Sequence, residues 1–163
     1  MPFELLHFRN AEKILADMNM EEDLKNTLDY LDTVLYGTGH SATLLKDGLK
    51  DMGWRENGTL NILDGRRYQY KGFKNRVAIE GFIGAYEIVH DGLFRLQIGY
   101  EKGKLDVGIL LLNGLRSIDS PFGTTRELVE WEVTELEPTI MIPVAIAVFD
   151  VGLEIVSQAR RLK

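Results

Sequence analysis

The spacing of apolar residues predicts a helical first third of the chain. Between Leu15 and Leu35 apolar residues recur mostly every three or four positions, which is the period of an amphipathic helix. The pattern indicates a short helix followed by a longer one over about 21–36. Ser41 is placed to cap a further helix that ends near Lys50. Three helices are therefore expected before residue 53.

Beyond residue 53 the pattern changes to strands. Asn57-Gly58 separates two short strand-like stretches, which is typical of a hairpin. The apolar runs 77–82 and 105–112 predict buried strands, and the second is continuous enough to be covered on both faces. The remaining predicted elements are helices over about 86–102, 124–135 and 154–162 and a strand over 143–151.

This order of elements predicts an α/β (α+β) fold with a mixed sheet flanked by helices. A chain of 163 residues has the length of one domain, so we expect a single domain over 1–163. Its helical part covers about 1–53 and its sheet core about 54–151. The first residues lack the pattern of a signal peptide, and the longest apolar stretch is too short to cross a membrane. A cytoplasmic protein that does not bind a membrane is expected.

Charge changes this picture, because it is segregated along the chain. The net charge is −6, yet residues 66–76 hold five basic residues and no acidic one, so the rest carries −11. Aromatic residues alternate with these cations, a mixture suited to phosphate contacts and base stacking. An edge strand protected by cations against aggregation is the alternative interpretation. The basic residues are Arg66, Arg67, Lys71, Lys74 and Arg76.

Two carboxylates are candidates for a metal site. Asp64 follows one predicted strand and Glu80 lies near the end of another, so they could converge on Mg²⁺, which prefers carboxylate oxygens and water. An acid after three apolar residues is costly to bury unless it is paired. Asp64-Gly65 is also an ordinary turn sequence, so a structural role for Asp64 stays open. The chain has no cysteine, which excludes thiolate ligands and cysteine nucleophiles.

Three segments follow one another along the chain: Arg76–Phe82, His90–Gln97 and Gly103–Leu110. In this succession they resemble the core of the BglII/BamHI-type restriction endonucleases, a branch of the PD-(D/E)XK nuclease superfamily, and the last segment is the most specific. The resemblance covers about residues 40–150 and implies a restriction-endonuclease-like fold. It also implies a homodimer that cleaves double-stranded DNA with Mg²⁺.

The resemblance assigns residues to this chemistry. The family's catalytic set is an upstream Asp and a Glu-x-Glu or Glu-x-Gln on the next strand. Glu80 matches the first Glu, and Asp64 is the best candidate for the upstream Asp, so both would be catalytic and bind Mg²⁺. The third position falls on Phe82, which can neither bind a metal ion nor orient a water molecule.

Three functions follow as hypotheses. The first is a Mg²⁺-dependent type II-like deoxyribonuclease, or a degraded relative that still binds DNA, in which the basic residues of 66–76 contact double-stranded DNA. The second is a non-catalytic homodimeric binding protein on a nuclease-like scaffold, which Phe82 and the short chain favour. The third is an enzyme that binds a small anionic molecule within the same basic segment.

Overall fold

A five-stranded mixed sheet forms the centre of the protein in the computed structural model, which describes residues 3–36, 42–56, 58–81, 89–114 and 124–150. The strands are β1 (Phe3–Phe8), β2 (Gly72–Lys74), β3 (Val77–Gly81), β4 (Val107–Asn113) and β5 (Val144–Phe149). Their order in the sheet is β1-β5-β4-β3-β2. The three inner strands are parallel, and each edge strand pairs antiparallel with its neighbour.

Helices cover both faces of this sheet. The described helices are α1 (Ala11–Asp17), α2 (Glu21–Leu35), α3 (Ala42–Asp51), α4 (Val89–Glu101) and α5 (Arg126–Glu135). The first three share an apolar core with alternate residues of the inner strands, and α4 and α5 share a second core with the intervening residues. None of the helices in the described ranges is both long and apolar enough to cross a membrane.

The predicted mixed sheet flanked by helices is confirmed, but sequence analysis missed the strand β1. Phe3 and Leu6 are its buried apolar residues, three positions apart. Because successive side chains of a strand alternate between faces, this odd spacing places them in opposite cores. A sheet covered on both faces can therefore produce a spacing that resembles a helical one.

The strand pairing near the predicted hairpin also differs from the expectation. The Tyr70 amide donates to the Leu60 carbonyl at 2.8 Å, and the Ile62 amide donates to the Tyr68 carbonyl at 2.8 Å. The chain thus reverses at Asp64-Gly65. This agrees with the alternative interpretation of that dipeptide as a turn. Asn57 and the predicted terminal helix over 154–162 lie outside the described residues.

Trp54 connects the helical layer to the edge of the sheet. Its side chain is fully buried, and its indole Nε1 donates to Oγ1 of Thr27 on α2 at 2.9 Å. Its carbonyl accepts from the Phe73 amide of β2 at 2.7 Å. A buried polar group needs such a partner, since a lost hydrogen bond leaves its desolvation uncompensated. Trp54 therefore links α2 to β2 through two hydrogen bonds.

Replacing Thr27 tests this connection. Thr27→Val keeps the shape of the side chain but removes the acceptor of the buried indole, so we expect a loss of about 1–3 kcal/mol in the free energy of unfolding. Urea denaturation measures it. Thr33→Val on the exposed face of α2 is the matched control, since Thr33 likewise donates to the carbonyl four residues earlier. Equal losses in both variants would contradict the role of the Trp54 hydrogen bond.

Candidate functional site

Glu80 is a buried carboxylate near the end of β3. Side chains of a strand alternate, so Val77 and Ile79 enter the core of α1–α3, whereas Ala78 and Glu80 face α4. The Glu80 side chain is only 4% exposed. The neighbouring Gly81 has φ +109 and lies against the backbone of β4, where any side chain would collide. This close contact with β4 fixes the backbone of β3 directly after Glu80.

Cations compensate the buried charge of Glu80. Nε of Arg95 on α4 lies 3.3 Å from Oε1, and the Gly81 amide donates to Oε2 at 3.2 Å. In the antiparallel pairing of β2 with β3, Gly72 lies opposite Ile79. Lys71, one residue before Gly72, therefore lies opposite Glu80. Burial raises the pKa of Glu80, while Arg95, the Gly81 amide and Lys71 act against that rise.

Arg95 is held in place from three sides. Besides its contact with Glu80, its Nη2 donates to the Gln69 carbonyl at 2.8 Å. Its guanidinium carbon lies 4.5 Å from the centre of the Tyr68 ring, within the range of a cation–π interaction. The side chain keeps 27% of its surface exposed. The guanidinium is therefore fixed but still accessible.

A cavity of about 200 Å³, which we call the cationic pocket, lies beside Arg95. No acidic residue is among its described lining residues. Arg55 is fixed there because its Nη1 donates to the Lys71 carbonyl at 2.6 Å. Burial lowers the pKa of Lys71, and the charge of Glu80 opposes this change. The lining residues are Lys46, Arg55, Arg67, Gln69, Tyr70, Lys71 and Arg95.

The structure separates the basic residues predicted to bind DNA. Arg67 and Lys71 line the cationic pocket. Lys74 instead pairs with Asp23 at 2.6 Å, and Arg76 makes two hydrogen bonds of 2.9 Å to Asp106.

Arg66 is exposed and does not line the pocket. Sequence analysis missed the other cations of the pocket, Lys46, Arg55 and Arg95. No sequence signal joins these three residues, because each comes from a different part of the chain.

The structure gives the two predicted metal ligands different partners. The Asp64 side chain is 96% exposed, and its Oδ1 lies 3.5 Å from Nζ of Lys104. Glu80 is buried against Arg95. Within the described ranges, acidic and histidine side chains form no group of three or more that could hold a metal ion. A Mg²⁺ site at Asp64 and Glu80 stays a prediction, and Phe82 lies outside the described residues.

The fold matches that of solved restriction endonucleases. A crystal structure of restriction endonuclease BglII complexed with a DNA 16-mer superposes with a TM-score of 0.65 and 15% sequence identity, covering 93% of this chain and 77% of that one. A crystal structure of free BglII gives a TM-score of 0.57 at 15% identity, covering 91% and 79%. These similarities show a restriction-endonuclease fold.

Sequence comparison identifies the family. The sequence model of the restriction endonuclease BglII/BglIII family matches residues 3–149, nearly the whole chain. No curated protein sequence matches significantly. The chain belongs to the BglII/BglIII restriction endonuclease family, which confirms the resemblance found in the sequence.

The pairing of Arg76 with Asp106 predicts a dependence of stability on pH. The hydrogen bonds from Arg76 hold the pKa of Asp106 below its ordinary value, so this carboxylate stabilises the fold above that value. The stabilisation is lost as the pH falls from about 4 through the lowered pKa. Because both side chains are about half exposed, we expect Asp106→Asn to cost about 0.2–1 kcal/mol at neutral pH.

Urea denaturation at a series of pH values measures this difference. The gap between wild type and Asp106→Asn should close at the acidic end. Asp64→Asn is the control, since it makes the same substitution at an exposed carboxylate without an arginine hydrogen bond. A gap that does not change with pH would contradict the assignment.

Proposed function

We propose that this chain binds double-stranded DNA and holds a backbone phosphate in the cationic pocket. The observation that carries the proposal is the lining of the pocket, which contains five basic side chains and no acidic one among the described residues. This concentration of positive charge occurs in a protein with a net charge of −6. Such a pocket attracts anions, and arginine side chains are well suited to binding phosphate oxygens.

Two further facts support DNA as the anion. The chain belongs to a restriction endonuclease family, and one solved structure with the same fold is complexed with DNA. Tyr68 and Tyr70 lie next to the basic residues, Tyr68 beneath the Arg95 guanidinium and Tyr70 in the lining. The ordered guanidinium groups reduce the entropy lost when phosphate binds.

Mg²⁺-dependent cleavage of that DNA is a second candidate function. The match of Glu80 to the first Glu of the family's catalytic set favours it, as does the place of this residue near the end of the inner strand β3. The contact with Arg95 counts against it, since a paired carboxylate is less available to a metal ion. The predicted homodimer remains a prediction.

Substitutions within the basic segment test DNA binding. Arg67→Gln should weaken the binding of a short duplex and reduce the slope of log affinity against log salt concentration by about one. Fluorescence anisotropy at several salt concentrations measures both. Arg76→Gln is the matched control from the same segment, because Arg76 pairs with Asp106 outside the pocket.

We expect Arg76→Gln to leave the affinity close to that of wild type. An equal effect of both substitutions would point to general attraction by the segment rather than to the pocket. Absence of binding at low salt would refute the proposal.

A plasmid cleavage assay with Mg²⁺ separates the two candidate functions. A nuclease that uses Glu80 should lose at least about 100-fold of its cleavage rate in Glu80→Gln, as expected when a group that stabilises the transition state is removed. A non-catalytic binding protein should bind the plasmid and leave it intact. Cleavage that survives Glu80→Gln would show that Glu80 does not take part.

A further inference from the structure

We propose that Arg95 is the permanent counter-cation of Glu80, so that phosphate in the cationic pocket is held by protein cations alone and not through a divalent metal ion on Glu80. The proposal deepens the proposed function and rests on it for the identity of the ligand. One side of the Arg95 guanidinium contacts the buried carboxylate, and the other side faces the pocket.

The buried charge of Glu80 is energetically costly. A carboxylate that is 96% buried requires compensation, and removing one partner of such a pair leaves the other charge uncompensated. Arg95 provides this compensation at 3.3 Å. Its hydrogen bond to the Gln69 carbonyl and its position over Tyr68 keep it there. Moving the guanidinium aside for another cation would break all three interactions.

The described groups around Glu80 differ from the ligands that Mg²⁺ prefers. Mg²⁺ requires six oxygen ligands in near-octahedral geometry and keeps several waters. The described surroundings of Glu80 contribute the cations Arg95 and Lys71 instead of a second carboxylate. A divalent ion on Oε1 would lie next to a guanidinium, where repulsion opposes its binding. The described residues therefore do not fit the metal ion that the resemblance implied.

Part of the Arg95 side chain is exposed beside the cationic pocket. The same guanidinium that contacts Glu80 also lines the cationic pocket. Oε1 of Glu80 and Nε of Arg95 attract each other at 3.3 Å, but neither makes a hydrogen bond in the described structure. Glu80 is not among the lining residues of the pocket, but its negative charge lies next to Arg95. This charge therefore reduces the positive potential of the pocket. Removing the charge of Glu80 should strengthen phosphate binding.

A melting cycle tests the counter-cation role without any ligand. Arg95→Met should lower the melting midpoint by several degrees, because Glu80 loses its adjacent cation. Adding Glu80→Gln to this variant should restore most of the loss. Arg126→Gln is the control for removing an arginine from a surface pair, and it should change the midpoint little. Additive losses in the double variant would overturn the proposal.

The metal response tests the second half of the proposal. Wild type and Glu80→Gln are compared with Mg²⁺ and with a chelator, by melting and by anisotropy with the duplex. We expect both proteins to respond equally to Mg²⁺, and Glu80→Gln to bind the duplex several-fold more tightly in chelator. A Mg²⁺-dependent gain in stability or affinity that Glu80→Gln abolishes would overturn the proposal.

The two proposals fail in different ways. If neither protein binds the duplex, the proposed DNA binding is wrong, while the melting cycle still decides whether Arg95 compensates Glu80. If the duplex binds and the melting losses are additive, DNA binding stands and the role of Arg95 is wrong.

Discussion

The burial of one carboxylate constrains the surroundings of the site. Glu80 projects from an inner strand toward the apolar core shared with α4 and α5, so its charge must be balanced by groups from neighbouring elements. Helix α4 supplies Arg95, and the antiparallel edge strand β2 places Lys71 opposite by its register. The same cations then line a pocket open to solvent. Balancing the internal charge and the proposed binding of an external anion thus involve the same side chains.

The sheet order explains how this site is assembled. The strand β3 lies between the inner strand β4 and the short edge strand β2, so the end of β3 is reached from the edge as well as from α4. Trp54 links that edge to α2 through its indole and carbonyl. Lys46 on α3 lines the same cavity as Arg95 on α4. The pocket depends on tertiary packing and not on one continuous segment.

Sequence reasoning predicted the elements better than the site. The aliphatic run around Ile109 and the periodicity before Leu35 are local signals, and both corresponded to real elements. The strand β1 was missed because its buried residues lie three positions apart on opposite faces. The cluster of cations at 66–76 could be recognised in the sequence. The sequence did not show that some of these cations line the pocket while others pair with Asp23 and Asp106. That division depends on acids that are distant in sequence.

The basic segment is divided between two different surroundings in the structure. Lys74 belongs to the edge strand β2 and Arg76 follows it, where charge discourages pairing with another chain. Arg67 and Lys71 lie at the cavity. The rest of the molecule is acidic and would repel a polyanion. A polyanion would therefore be attracted only in orientations that face the basic segment. In the proposed binding of DNA, charge segregation would thus select the orientation of the first encounter, before any contact in the pocket has formed.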